Sequence, residues 1–197
     1  MTSPPISILN QVELLTLALD ASKNNNRGGA LAYLKEAVSR FDASASAHYL
    51  LGAEYAQIQM HDRAIAEMET AVAIDPALAT ARLQLGLLLL GTGAAQRALD
   101  ILQPLSTLDA NNALRYFGNG LIHLIREELN NATASLQQGI ALNIDNPALN
   151  SDMQRIIDEI AKLPMEARVH SDQVDGLPDD ASARHIFLSA YTSGRTQ

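Results

Sequence analysis

The chain of 197 residues contains no cysteine and no tryptophan. Disulfides and thiolate metal sites are thereby excluded, which agrees with a reducing compartment. Aromatic residues make up only 4% against 47% hydrophobic residues, so any core must be built from Leu, Ala and Ile. Leu and Ala are strong helix formers. Basic residues are also scarce, 14 Lys and Arg against 22 Asp and Glu, for a formal net charge of −8. Binding a phosphate backbone draws on clustered Lys and Arg, so neither nucleic acid nor an anionic membrane surface is an expected partner. Long hydrophobic runs are missing as well. The stretch Leu87–Leu90 falls far short of the ~18 apolar residues of a membrane-spanning helix. Met1-Thr-Ser-Pro-Pro lacks the basic start of a signal peptide. These features predict a cytoplasmic protein with no membrane insertion.

What is present is a repeat. Ala18, Gly52, Gly86 and Gly120 are 34 residues apart, as are Ala30, Ala64, Ala98 and Ala132. Four residues beyond each of the latter come Leu34, Met68, Leu102 and Leu136, one turn along the same helical face. Small residues at fixed points let two helices approach while larger neighbours interdigitate. The second unit is the fullest, with Leu51-Gly52, Tyr55, Ala64, Met68, Ala71 and Asp75-Pro76 in frame.

This pattern resembles the tetratricopeptide repeat family. The resemblance covers 136 of 197 residues, in frames 11–44, 45–78, 79–112 and 113–146. It implies an all-α fold, a right-handed superhelical solenoid of four helix-turn-helix repeats. Residues 1–10 are a lead-in, 147–163 a capping helix, 164–180 a linker, and 181–197 a tail with a short amphipathic helix. The cap carries Met153, Ile156, Ile157 and Ile160 on one face and is expected to begin near Asn150. Gly28-Gly29, His61-Asp62, Gly91-Thr92-Gly93 and Glu127-Glu128 fall at the intra-repeat turns, with Asp62 as an N-cap. Pro147 stands three residues later than the family's proline, which predicts a longer last loop.

No catalytic constellation emerges, so the chain is read as a non-enzyme without cofactor or metal. His48 and His123 stand where the family places bulky packing residues, and His61 lies beside Asp62. His170 and His185 have no recognised metal-ligand spacing. Glu127-Glu128, Asp158-Glu159 and Asp179-Asp180 are sequence neighbours, whereas carboxylate catalysis uses groups from different elements across a cleft.

The resemblance implies that the first helix of each repeat lines a peptide-binding groove. The family's positions give Leu15 and Leu19, Tyr49 and Ala53, Leu83, Leu87 and Leu90, and Phe117, Leu121 and Leu124, with Val12 and Ser22 beside the first pair. Of the cationic clamp that grips acidic C-termini in some members, only Lys23 is present. The expected partner is therefore another protein or peptide with an apolar segment, bound by an adaptor or chaperone-like module. The alternative is a structural or assembly subunit, a homo-oligomer formed through the groove or the tail. The Leu-rich third repeat also admits a plainer reading as buried core. Ile186, Phe187, Leu188 and Tyr191 form the tail's apolar contact set. A linker of about 17 residues spans roughly 20–25 Å when flexible, enough to place the tail in the groove.

Overall fold

The computed structural model describes residues 6–164 and 180–192, with side chains at 184–190 in the second stretch. Among the described residues there are ten α-helices and no strand. The chain divides into two compact units, residues 1–81 and 82–197, with the boundary inside the fifth helix.

The first unit opens with a 3-10 turn, Ile6–Ile8, followed by α1 (Gln11–Lys23), α2 (Arg27–Val38), α3 (Ala45–Gln57) and α4 (His61–Ile74). Asn10 starts α1 with a capping box: its Oδ1 accepts from the Glu13 N–H at 3.0 Å, and its own N–H donates to Glu13 Oε2 at 2.7 Å. Asn26 and Ser44 cap α2 and α3 in the same side-chain manner. α1 packs on α2, α2 on α3, and α3 on α4. Leu14, Ala37 and Ala47 form the buried centre, flanked by Ile6, Leu9, Leu15, Tyr33 and Val38.

The second unit holds most of α5 (Ala79–Gly91), then α6 (Ala95–Leu102), a 3-10 segment Gln103–Thr107, α7 (Ala113–Ile125), α8 (Leu129–Leu142), α9 (Pro147–Lys162) and α10 (Asp180–Thr192). α7 packs on α8, α8 on α9, and α10 on both α9 and α7. The glycines mark where helices touch. A Cβ at Gly52 would lie 2.8 Å from Met68 Cγ and 3.1 Å from the Ala64 carbonyl. At Gly86 it would lie 2.5 Å from Leu102, and at Gly120 2.5 Å from Leu136. The 34-residue period is thus a period of helix contacts, a small residue on one helix seating a long one on the next.

All four intra-repeat turns share one geometry, with a left-handed residue at the same point: Asn25, Gln59, Gly93 and Glu127, φ between 59° and 81°. The following N–H reaches back five residues, from Asn26 to Ala21, Met60 to Tyr55, Ala94 to Leu89 and Glu128 to His123, at 2.8–2.9 Å. This Schellman bonding satisfies the last carbonyls of the first helix. It also makes the same residue the start of the second helix, since Ala30, Ala64, Ala98 and Ala132 donate to the carbonyls of residues 26, 60, 94 and 128. Asp62 is consequently inside α4 rather than its cap, and Gly28-Gly29 lie in the first turn of α2, because the Asn24–Asn26 segment makes the turn.

Glu127 bears the left-handed conformation with a full side chain, and its Oε1 is buried without a partner. That conformation costs roughly 1–2 kcal/mol for an L-residue, part of which glycine gives back as chain entropy. Glu127→Gly is therefore expected to raise stability by up to about 1 kcal/mol. The check is a higher urea midpoint at unchanged slope; a lower midpoint would refute the strain.

Two helix boundaries trace to proline, the second of them against the sequence expectation. Pro104 lacks the N–H that would extend α6, so that helix stops at Leu102 and continues as the 3-10 segment. Pro147 is not a loop residue but the first residue of α9, where a missing N–H costs nothing. The last loop, 143–146, is therefore no longer than the loop at 75–78. α9 leaves Gln154, Arg155, Asp158 and Lys162 exposed on its outer side. It buries Leu149, Met153, Ile156, Ile157 and Ile160 and carries α10.

Candidate protein-binding face

In the first unit the candidate residues lie on α1 and α3. Val12, Leu15, Leu19 and Ser22 recur at three- and four-residue intervals, which sets them on one stripe of α1. Val12 is 74% exposed and Leu19 44%, while Leu15 is half-buried against the core. Ser22 closes the stripe and fixes its direction: its Oγ donates to Glu54 Oε1 on α3 at 2.5 Å. On α3, Tyr49 and Ala53 are half-buried. Burial pushes the Tyr49 phenol above its ordinary value of 10.0, so it stays a neutral hydroxyl at physiological pH. An apolar stripe with one hydroxyl-bearing ring is suited to an apolar segment carrying an occasional polar group.

Glu54 is the feature that sequence reading misses. It is 4% exposed, and its Oε2 has no partner. Its only signal is a lone carboxylate inside the apolar helix run Leu51-Gly52-Ala53-Glu54-Tyr55-Ala56. To the two packing histidines of the sequence reading the structure adds carboxylates. His48 Nδ1 lies 2.7 Å from Glu67 Oε2, linking α3 to α4. His123 Nδ1 bonds Glu128 at the start of α8. His61 and His185 are exposed, and His170 lies outside the described residues. Arg63 stacks 5.7 Å above the Tyr55 ring. Asp152 on α9 has its carboxyl raised by burial, partly offset by Arg155. Among the described residues no group of three or more His, Asp and Glu could hold a metal, and no helix is long and apolar enough to cross a membrane.

In the second unit the same positions are not open. Leu83, Leu87, Leu90, Phe117, Leu121 and Leu124 are all 6% exposed or less. With α10 seated on α7, α9 and the end of α5, none of these six is open. The Phe117 ring explains how closely they pack, since a Cβ at Gly139 would fall 2.5 Å from two of its carbons. α5 carries Leu83, Leu85, Leu87, Leu89 and Leu90 all buried, so it is covered all round, as its continuous apolar sequence permits.

The tail is a helix seated on this unit. Ile186 and Phe187 are buried with Ala190, whereas Leu188 faces outward at 37% exposure. The Tyr191 side chain lies outside the described residues. The Phe187 ring would meet a Cβ at Gly91 at 3.1 Å, and the Arg184 side chain one at Gly93 at 3.1–3.3 Å.

No protein-family profile matches the sequence, and no curated protein resembles it in sequence. Solved structures do match in fold. TTC0263, a thermophilic TPR protein of Thermus thermophilus, superposes with a TM-score of 0.61 at 19% identity, over 93% of this chain and 100% of that one. MamA of Desulfovibrio magneticus RS-1 gives 0.59 at 18%, over 95% and 96%. YrrB, described as a TPR protein with an unusual peptide-binding site, gives 0.57 at 17%, over 94% and 92%. At such identities the likeness is one of fold.

Proposed function

We propose that this chain, whose fold is that of the tetratricopeptide repeat proteins, is a non-catalytic module that binds an apolar segment of another polypeptide on the α1–α3 face of its first unit. One observation carries the reading. Val12 and Leu19 stand 74% and 44% exposed on a firmly capped helix, in one stripe with half-buried Leu15 and with Ser22, which bonds Glu54 of α3. Apolar residues grouped on one face are a signature of interaction surfaces. The fold supports the reading, and one structural neighbour is described as peptide-binding. An adaptor or chaperone-like role fits a site that recognises apolar surface. Net charge of −8 disfavours nucleic acid, and a cysteine-free chain suits the cytoplasm.

The test compares the tagged full chain with its Val12→Glu/Leu19→Glu variant in capture from native lysate, alongside sedimentation of each. The expected result is a protein captured by the wild type and lost with the variant, both chains being monomeric. Identical captured sets would move the site off this face. A wild-type dimer that the variant abolishes would replace this reading with self-association.

A further inference from the structure

The Glu54 carboxylate is buried at the α1–α3 face without a counter-charge. Glu54 is the one charged residue buried among the described residues. Its two oxygens are not alike. Oε1 accepts from the Ser22 hydroxyl of α1, whereas Oε2 has no hydrogen-bond partner among the described residues. A carboxylate taken out of water is costly unless it is both paired and hydrogen-bonded, and one neutral hydroxyl does not neutralise it. Lys23 follows Ser22 in the chain but its side chain is exposed. A buried acceptor left open is rare in folded proteins and calls for a partner. The place of this one ties it to the candidate site. Ser22 is the half-buried last member of the stripe Val12, Leu15, Leu19 and Ser22, so the carboxylate lies directly behind the end of that stripe.

We propose that Glu54 sets the specificity of the α1–α3 face by taking, on Oε2, the ammonium group of a lysine in the bound segment. This rests on the reading of that face as the binding site, and it names the chemistry that the face selects. Lysine fits better than arginine because Ser22 holds Oε1 and leaves a single acceptor. An ammonium is a compact charge that one oxygen can bind, while a guanidinium fork uses both oxygens of a carboxylate. The four-carbon stem of lysine is itself apolar and suits the Leu19 end of the stripe. From Val12 to Ser22 the stripe runs about 15 Å along the helix, the length of about five residues of extended chain. The partner is thus a short segment with apolar residues at the Val12 end and lysine at the Ser22 end. A net charge of −8 favours the approach of such a basic segment.

The test begins with random heptapeptides displayed on phage and selected on the immobilised full chain. The strongest binder is synthesised with a fluorophore in two forms, one with lysine and one with norleucine in its place, and both are titrated by anisotropy. The selected peptides are expected to share lysine at a fixed distance from apolar residues. The wild type is expected to bind the lysine form about tenfold or more tighter than the norleucine form, the scale of a buried charge pair. Glu54→Gln keeps the side-chain shape and an acceptor for Ser22, and is expected to bind both forms as weakly as the wild type binds norleucine. Equal affinity of the wild type for the two forms would overturn the proposal, and that comparison needs no variant to fold. So would a selection without lysine, or an equal loss of both forms with Glu54→Gln, which would leave Glu54 a structural role alone. Val12→Glu/Leu19→Glu separates this result from the reading beneath it. Peptides that fail to bind this variant but ignore the lysine exchange would leave the face standing and remove Glu54 from its recognition. Peptides that bind it as well as the wild type, or a selection that yields no binder, would overturn both.

Discussion

Phe117→Ala is expected to destabilise the protein by about 3–5 kcal/mol, the usual cost of emptying a buried aromatic site. Phe117 is wholly buried, with its ring against the bare backbone of Gly139. The converse change sharpens the test. Gly139→Ala places a methyl group 2.5 Å from two ring carbons that have no room to retreat. Overpacking costs about 1–3 kcal/mol, set against roughly 1 kcal/mol gained in helix propensity. In the Phe117→Ala background the clash is gone and only the propensity gain remains, so Gly139→Ala should change sign and become stabilising. Urea melts of the two single variants and the double variant measure this coupling. Additive effects would show that ring and glycine do not touch, and would return Phe117 to an accessible surface.

The second large effect separates two sets of residues that share one sequence register. Leu87 is 6% exposed and Leu121 is fully buried. Leu87→Glu/Leu121→Glu places two carboxylates where water cannot reach them, at several kcal/mol each if ionised. A domain's whole stability is about 5–15 kcal/mol, so residues 82–197 should lose their cooperative unfolding transition at neutral pH. Leu19 holds the α1 position equivalent to Leu87 and Leu121, and Val12 lies seven residues before it on the same stripe; both side chains are exposed. Exposed substitutions stay within about 0.5 kcal/mol, so Val12→Glu/Leu19→Glu should melt like the wild type while losing its ligand. Circular dichroism decides between the outcomes. A stable Leu87→Glu/Leu121→Glu variant would mean that the second unit's face is open after all.

The physical origin of that split lies in which rules are local. The period of 34 residues is legible because local rules impose it. Small residues must stand where helices touch, as Gly52, Gly86 and Gly120 do, and long ones must fill the opposite side, as Met68, Leu102 and Leu136 do. The turns are harder to read. Their shared left-handed residue is a glycine only at Gly93, and Asn25, Gln59 and Glu127 adopt the same φ without the glycine that signals it. Here tertiary packing of the helix pair overrides residue preference. Glycine content alone therefore points to Gly28-Gly29 in the first repeat, a few residues past the true turn.

The sequence by itself determined an all-helical chain, its contact period, its acidic surface and its lack of thiol chemistry, because each follows from residue type and near-neighbour spacing. Only the tertiary structure decided which apolar residues remain available. Leu19 and Leu87 occupy the same place in their repeats, yet one is 44% exposed and the other 6%. Burial is a property of what lies across from a residue, and α10 comes from far along the chain to rest on α7, α9 and Gly91. Periodicity along one helix carries no information about such a distant neighbour. The hydrogen bond from Ser22 to Glu54, 32 residues on, is of the same kind: it joins two helices that no local pattern could have brought together.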